Sequence, residues 1–323
     1  MKERLYIIGN GFDIHHGINS RYNQYLNWLL INDKKLYDLL LKYYPQAANK
    51  EWWNDFEQNL GTPDMDFELQ VVAAINQPSE DCIERMSYID FDGGANDVHE
   101  DLGGMITDIK VTFHKWVFSL NQAQSCQRLI INTSNALYLN FNYTNTLECV
   151  YGVPTGDILF IHGSVSSPEE LVLGHGETLE SIQRDIDPIP DYDGKMSPKD
   201  YLSSLTKDPI TENTYQAAIE EIFSLRKDVK IIIERNQAFF QSLKNIKEIY
   251  IFGHSLSEID MPYFEKVIKS VKGNNTEYII SYYNSEDYDK ASEFIKRFCL
   301  QNHRLIRLSD IMYHRIPPIN FRQ

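Results

Sequence analysis

Cysteine is scarce in this chain: Cys82, Cys126, Cys149 and Cys299 are the four in 323 residues, and no two form a C-x-x-C pair. That spacing argues against a disulfide framework and a structural zinc ribbon, and it points to buried, inert thiols. Long hydrophobic runs are missing as well. No stretch approaches the roughly 20 apolar residues of a membrane span. The opening MKERLYIIGNG has neither the apolar length nor the small-residue cleavage site of a signal peptide. The expectation is a soluble, cytoplasmic protein with no membrane partner. Positive charge is also short, since 31 Lys and Arg against 46 Asp and Glu leave a net charge of −15. A surface that acidic repels a phosphate backbone, so extended nucleic acid is not an expected partner, whereas a small anion can still be held by backbone donors.

Against these absences stand several short β-branched or aromatic runs: LYIIGN (5–10), ALYLNFNY (136–143), ILFIHG (158–163), LVLGHG (171–176), EIYIFGHS (248–255), EYIISYY (277–283) and RLIRL (304–308). Several are continuously apolar, as strands covered on both faces are. Helical periodicity lies between them. Tyr22, Tyr25, Leu26, Leu29 and Leu30 share a face behind the N-cap candidates Asn19 and Ser20. Leu102, Met105, Ile106, Ile109, Phe113, Trp116, Val117 and Leu120 repeat the pattern, and a third amphipathic stretch runs from Thr214 to Leu243. The fold class expected is α/β, a Rossmann-like, mainly parallel sheet flanked by helices, forming one domain over residues 1–323. Two acidic segments, 61–101 and 177–200, read as insertions or lids.

Polar residues gather where the apolar runs end. IIGNGFD closes on Gly9, Asn10, Gly11 and Asp13; LNFNYTNTLE carries Asn140, Asn142 and Thr144; FIHGS carries His162; VLGHG carries His175; IFGHSLSEID carries Gly253, His254, Ser255 and Asp260. A glycine at a strand exit lets a ligand or another backbone approach closely, and sites in parallel sheets lie outside the carboxyl ends of the strands. The first turn is G-N-G without the complete G-x-G-x-x-G fingerprint. The next amphipathic run starts only near Ser20, so FDIHHGINS is expected to form a loop with a second bend at Gly17. His15 and His16 beside Asp13 raise the question of a metal. Adjacent histidines diverge on a regular element and no H-E-x-x-H accompanies them, so no metal is expected. One of the pair is expected to line a pocket and the other to face solvent. In WWNDFEQNL, Trp53, Phe56 and Leu60 form a core stripe, with Glu57 beside it as a candidate site carboxylate.

LYIIGNGFDIHHGINSRYNQYL, WWNDFEQNL, LNFNYTNTLE, IHGS, LVLGHG and IFGHSLSEIDMPYF together resemble the bacterial abortive-infection AbiH family, associated with phage defence. More distantly, GNGFDIHHGINS, FNYT, IHG and FGHSLSEID resemble the strand ends of sirtuin-like NAD-binding and NAD-hydrolysing defence domains. In that pattern Asn10 and Asp13 replace an alanine and a serine of the first turn, and Thr144 replaces the aspartate after Asn-Tyr.

The resemblance implies a sirtuin-like α/β domain that takes NAD as substrate or ligand and hydrolyses its N-glycosidic bond. His162 and Asn142 would be the catalytic pair. Gly9, Asn10, Gly11, Asp13, Glu57, Gly253, His254, Ser255 and Asp260 would bind the cofactor. Asp260 is equally readable as an ordinary helix cap. The partner implied is a small-molecule nucleotide, with a phage component or toxin-system partner and a homo-oligomer left open. Two other functions fit the sequence less closely: a non-catalytic nucleotide-binding sensor acting through a partner or assembly, and a metal-dependent nuclease.

Overall fold

The computed structural model describes residues 1–84, 90–120, 127–167, 171–187, 207–271 and 275–315. The chain divides into two compact units. The first comprises Met1–Tyr25, Phe113–Val172 and Asp228–Gln323, the second Leu26–Thr112 and Leu173–Lys227. Segment 61–101 lies in the second unit, as do the described residues 177–187 of the other acidic segment; the remainder of that segment falls outside the described residues.

The first unit is built on six strands: β1 (Arg4–Ile8), β3 (Ala136–Asn140), β4 (Ile158–Phe160), β5 (Glu248–Phe252), β6 (Glu277–Ser281) and β7 (His303–Ile306). Their order is β4-β3-β1-β5-β6-β7, and every pairing is parallel. Counted along the chain, this is the third-second-first-fourth-fifth-sixth arrangement of a doubly wound sheet, with its topological switch point between β1 and β5. The expected Rossmann-like class is therefore the observed one.

The apolar runs build strands because both faces of the sheet are buried. Leu5 and Ile7 pack with Leu137, Leu139, Ile249 and Ile251 against Phe240, Val267 and Phe294 of the helices on one side. Tyr6 and Ile8 pack with Ala136, Tyr138 and Phe252 against Phe12, Leu147 and Tyr151 on the other. Each fully buried aliphatic or aromatic side chain of this kind contributes roughly 1.5–3 kcal/mol. Tyr6 also stacks on Tyr138 and Tyr250, with ring centroids 5.3 and 4.5 Å apart.

A short antiparallel pair, β2 (Gln127–Leu129) with β8 (Tyr313–Arg315), has three residues per strand and no apolar run long enough to announce it. LVLGHG, expected as a strand, forms none; His175 makes an isolated bridge to Arg226. Helix Tyr22–Asn32 appears where the periodicity placed it. Helix Gly104–Leu120 follows a π turn, His99–Gly103, which takes Leu102. The third amphipathic stretch is broken into helices Pro209–Ser224, Val229–Arg235 and Gln237–Ser242. Asp208 caps the first through the N–H groups of Ile210 and Thr211, and Asp228 caps the second through that of Ile231.

The second unit is largely helical, including Lys34–Tyr43, Asp66–Ile75 and Gly93–Val98. Trp53, Phe56 and Leu60 are buried in it as the stripe required, with Trp53 stacked on Phe56 at 4.9 Å. Three of the cysteines are less buried than expected: Cys149 and Cys299 are exposed and Cys82 is half-buried, while Cys126 lies outside the described residues. Among the described residues no helix is long and apolar enough to cross a membrane.

Candidate functional site

The carboxyl ends of β4, β3, β1 and β5, neighbours in the sheet, bring most of the candidate residues together. At the exit of β1 the chain does not form the expected loop. Helix Asn10–His15 starts at once, with Gly9 as an extended N-cap residue and the Phe12 N–H returning to the Gly9 carbonyl at 2.9 Å. The bend at Gly17 is present, with φ of +78°. Six residues is too short a run for periodicity to register.

The glycines of β1 and β5 lie against each other. The Gly9 N–H donates to the Phe252 carbonyl at 3.0 Å and the Gly11 N–H to the Gly253 carbonyl at 2.7 Å. A Cβ on Gly253 would lie 2.0 Å from Phe12 N, so only glycine permits this approach. Gly253 in turn donates its N–H to Ser281 Oγ at 2.8 Å. The backbone N–H groups of Gly9 and Gly11, two of the residues expected to bind the cofactor, are thus engaged within the protein. Asn10 is held by Ser20, which accepts from its amide at the backbone carbonyl and donates its hydroxyl to Asn10 Oδ1.

Asp13 is fully buried below this turn. Its carboxylate accepts from Thr144 at 2.5 Å, from Thr146 at 2.7 Å and from the side chain of Asn142. Burial pushes the Asp13 carboxyl up from 3.8 to about 6, with those three hydrogen bonds pulling the other way. Asn142 also donates to the Gly9 carbonyl at 3.1 Å, so its amide ties the β3 exit to the β1 exit.

The two adjacent histidines part company. His16 is 1% exposed, so it does not face solvent. Its Nδ1–H donates to the Phe12 carbonyl at 2.7 Å, which leaves Nε2 to accept from the Tyr151 hydroxyl at 2.7 Å. Tyr151 Oη accepts the Leu129 N–H in turn. Burial pushes the His16 imidazole down to about 4. His15 is half-buried, with a buried Nε2 that has no hydrogen-bond partner.

The second cluster joins β4 to β5. His162 follows β4, and its Nε2 lies 3.8 Å from Asp260 Oδ1. His254 follows β5, and its Nε2 lies 3.5 Å from Asp260 Oδ2. Asp260 stands at the cap position of helix Met261–Ser270 but makes no capping bond, and Ser257 donates to its Oδ2 at 3.1 Å. Asp260 is therefore a partner of two buried histidines, and the reading as an ordinary cap is overturned. Phe141 meets both rings edge-on, at 5.3 Å from His162 and 4.4 Å from His254. Tyr263 and Phe264 complete the aromatic wall. Phe141, Tyr263, Ser257 and Thr146 were not singled out from the sequence; Phe141 and Thr146 sit inside the quoted block LNFNYTNTLE, where residues inward of the glycines and asparagines were the available signal.

Ser255 is exposed. Glu57 and His175 belong to the second unit. Glu57 pairs with the ammonium of Lys227, whose side chain is wholly buried. His175, 0% exposed, accepts the Glu177 N–H on Nδ1, so its Nε2–H donates to the Ile222 carbonyl at 2.8 Å. It is a structural histidine, and with no strand before it VLGHG is not a strand exit.

Fold and site together define a doubly wound α/β protein with a buried His–Asp–His cluster beside the switch point of its sheet. The cluster lies where proteins of this class bind and transform small ligands. The chain belongs to the bacteriophage abortive infection AbiH family, which it matches over residues 5–282. No curated protein and no solved structure matches it.

Proposed function

We propose that this protein acts in abortive infection by binding a nicotinamide dinucleotide or a related nucleotide and hydrolysing its N-glycosidic bond at the carboxyl ends of β4, β3, β1 and β5. The observation that carries the reading is the pairing of His162 with Asp260 at 3.8 Å, both buried, at the end of the sheet where Rossmann-like folds hold their ligands. In this reaction the bond between nicotinamide and ribose breaks, and a water oxygen bonds to the ribose carbon. Nicotinamide leaves as a neutral base and needs no strong acid, while the proton lost by the water passes to His162. The protein's work is to orient the ribose and one water and to keep other water away. Loss of NAD would stop an infected cell, which gives abortive infection a chemical cause.

The backbone N–H groups of Gly9 and Gly11 give no support to a part in holding the nucleotide, because both are engaged. A second reading, a nucleotide-binding sensor without hydrolysis, is favoured by Asn142, whose amide serves the Gly9 carbonyl and Asp13. Incubating the protein with NAD, with and without phage lysate, and quantifying nicotinamide and ADP-ribose separates the two. Hydrolysis should be lost in His162→Ala, with Asn142→Ala assayed beside it. Binding without products supports the sensor. Product release by both variants at the wild-type rate removes the site assignment, and EDTA-sensitive degradation of nucleic acid would support a nuclease instead.

A further inference from the structure

Charge is divided unequally between the two units. The second, Leu26–Thr112 with Leu173–Lys227, holds 12 Lys and Arg against 28 Asp and Glu, a net charge of −16, whereas the first holds 19 against 18 and is almost neutral. The acidity of the chain thus belongs to its helical unit. Helix Asp66–Ile75 of that unit is apolar on both faces. Leu69 and Ala73 are buried on its inner side, while Phe67, Val71 and Ile75, four residues apart, form an outer stripe and are 73%, 37% and 75% exposed. Gln70 and Ala74, exposed beside them, carry no charge. Helices apolar all round are normally covered all round, and an apolar patch rimmed by polar residues marks a contact surface.

Three exposed carboxylates stand at the ends of this helix. Asp66 opens it and accepts from the Tyr215 hydroxyl at 2.6 Å and the Gln70 amide at 2.8 Å. Asp97 accepts at 2.7 Å from the amide of Asn76, the residue that closes the helix. Asp92 accepts from Asn213 at 2.9 Å and precedes Gly93, where a Cβ would lie 2.5 Å from Asn76 Oδ1. All these donors are neutral, so the carboxylates are oriented and keep their charge. Lysines of the unit are committed elsewhere: Lys42 to Glu68 and Asp101, Lys207 to Asp187, and Lys227 to Glu57. Among the described residues no cation pairs with Asp66, Asp92 or Asp97. A second copy of the chain would set like charges against these three, and an anionic lipid surface would meet the same repulsion. We infer that the stripe of Phe67, Val71 and Ile75 docks a cationic amphipathic helix of a partner protein, with its apolar side on the stripe and its Lys or Arg at the three carboxylates. The four-residue spacing is that of the ridges along which helices pack. Docking here does not depend on the hydrolytic reading.

The probe is a fluorescein-labelled peptide of about 18 residues, with leucine on one helical face and lysine on the other, titrated with the full chain and read by fluorescence anisotropy. Saturable binding is expected. Phe67→Ser combined with Ile75→Ser should weaken it at least about tenfold. Asp92→Asn combined with Asp97→Asn keeps an oxygen for the amides of Asn213 and Asn76, and should weaken binding at least about threefold with a shallower dependence on salt. All four side chains are exposed, so both double variants should unfold at the wild-type temperature. The same peptide with glutamate in place of lysine should not bind. No saturation, equal affinity of wild type and the Phe67, Ile75 variant, or equal affinity for the glutamate peptide overturns the inference. A wild type that sediments as a dimer, and a Phe67, Ile75 variant that sediments as a monomer, would give the stripe to a second copy and overturn it as well.

Discussion

Thr144 Oγ1 stands 2.5 Å from Asp13 Oδ2, joining the exits of two strands, β3 and β1, that pair directly in the sheet. Two residues that stood out separately in the sequence are thus one buried hydroxyl–carboxylate pair.

Asp13 makes stability depend on pH. Its carboxyl is near 3.8 unfolded and about 6 folded, so the native state holds the proton more tightly. The associated stability is full below about pH 4 and is lost as pH rises through 6, on the order of 3 kcal/mol in total. In Asp13→Asn this component is absent. Urea unfolding should therefore show the stability of wild type relative to Asp13→Asn falling between pH 4 and pH 7; a difference flat across that range would contradict the buried carboxylate.

His16 acts in the opposite sense. Its imidazole goes from 6.5 unfolded to about 4 folded, so the stability it contributes is full above 6.5 and is lost as pH falls toward 4. Tyr151 serves both His16 Nε2 and the Leu129 N–H. Tyr151→Phe deprives two buried groups of their partner and should cost roughly 2 kcal/mol at pH 7. A variant within about 0.5 kcal/mol of wild type in urea unfolding would show the hydroxyl to be dispensable.

Gly253→Ala and Gly17→Ala form a matched pair. Both glycines have positive φ, +65° and +78°, but a Cβ on Gly17 meets nothing within 4 Å whereas one on Gly253 strikes Phe12 N at 2.0 Å. Gly17→Ala should cost only the backbone strain, about 1–2 kcal/mol. Gly253→Ala should cost more than about 4 kcal/mol or prevent folding. Equal midpoints of thermal unfolding for the two variants would show that the β1 and β5 exits are not interlocked.

In the second unit, Glu57→Gln leaves the Lys227 ammonium buried without its carboxylate and should destabilise by roughly 3–5 kcal/mol. Adding Lys227→Met should recover part of that loss, since the buried charge is gone. Additive costs in a double-mutant cycle would count against the pair.

All six parallel strands were legible because each coincides with one of the short β-branched or aromatic runs, and the runs are most continuous where the strand is buried, as in β3. Where a strand or helix is only a few residues long, as in β2, β8 and Asn10–His15, no period accumulates and the chain gives no signal. LVLGHG has the composition of a strand, but Gly174, with φ of +156°, brings its backbone against Leu225 and His175 anchors to Ile222, so tertiary contacts decide against the sheet. The site was legible as a set of strand ends: His162, Asn142, Asp13, Gly253 and His254 all lie at the carboxyl edge. What each one touches was not. Asp260 as the hub of two histidines, and Asn142 as a tie between exits, depend on which strands are neighbours, and the order β4-β3-β1-β5 is set by crossovers that leave no local mark in the sequence.

The interlocked glycines bear on timing as well as shape. The Gly11 N–H is bonded to the Gly253 carbonyl, so its exchange with solvent requires the exits of β1 and β5 to part there, and its protection reports whether this turn opens by itself or only with the sheet.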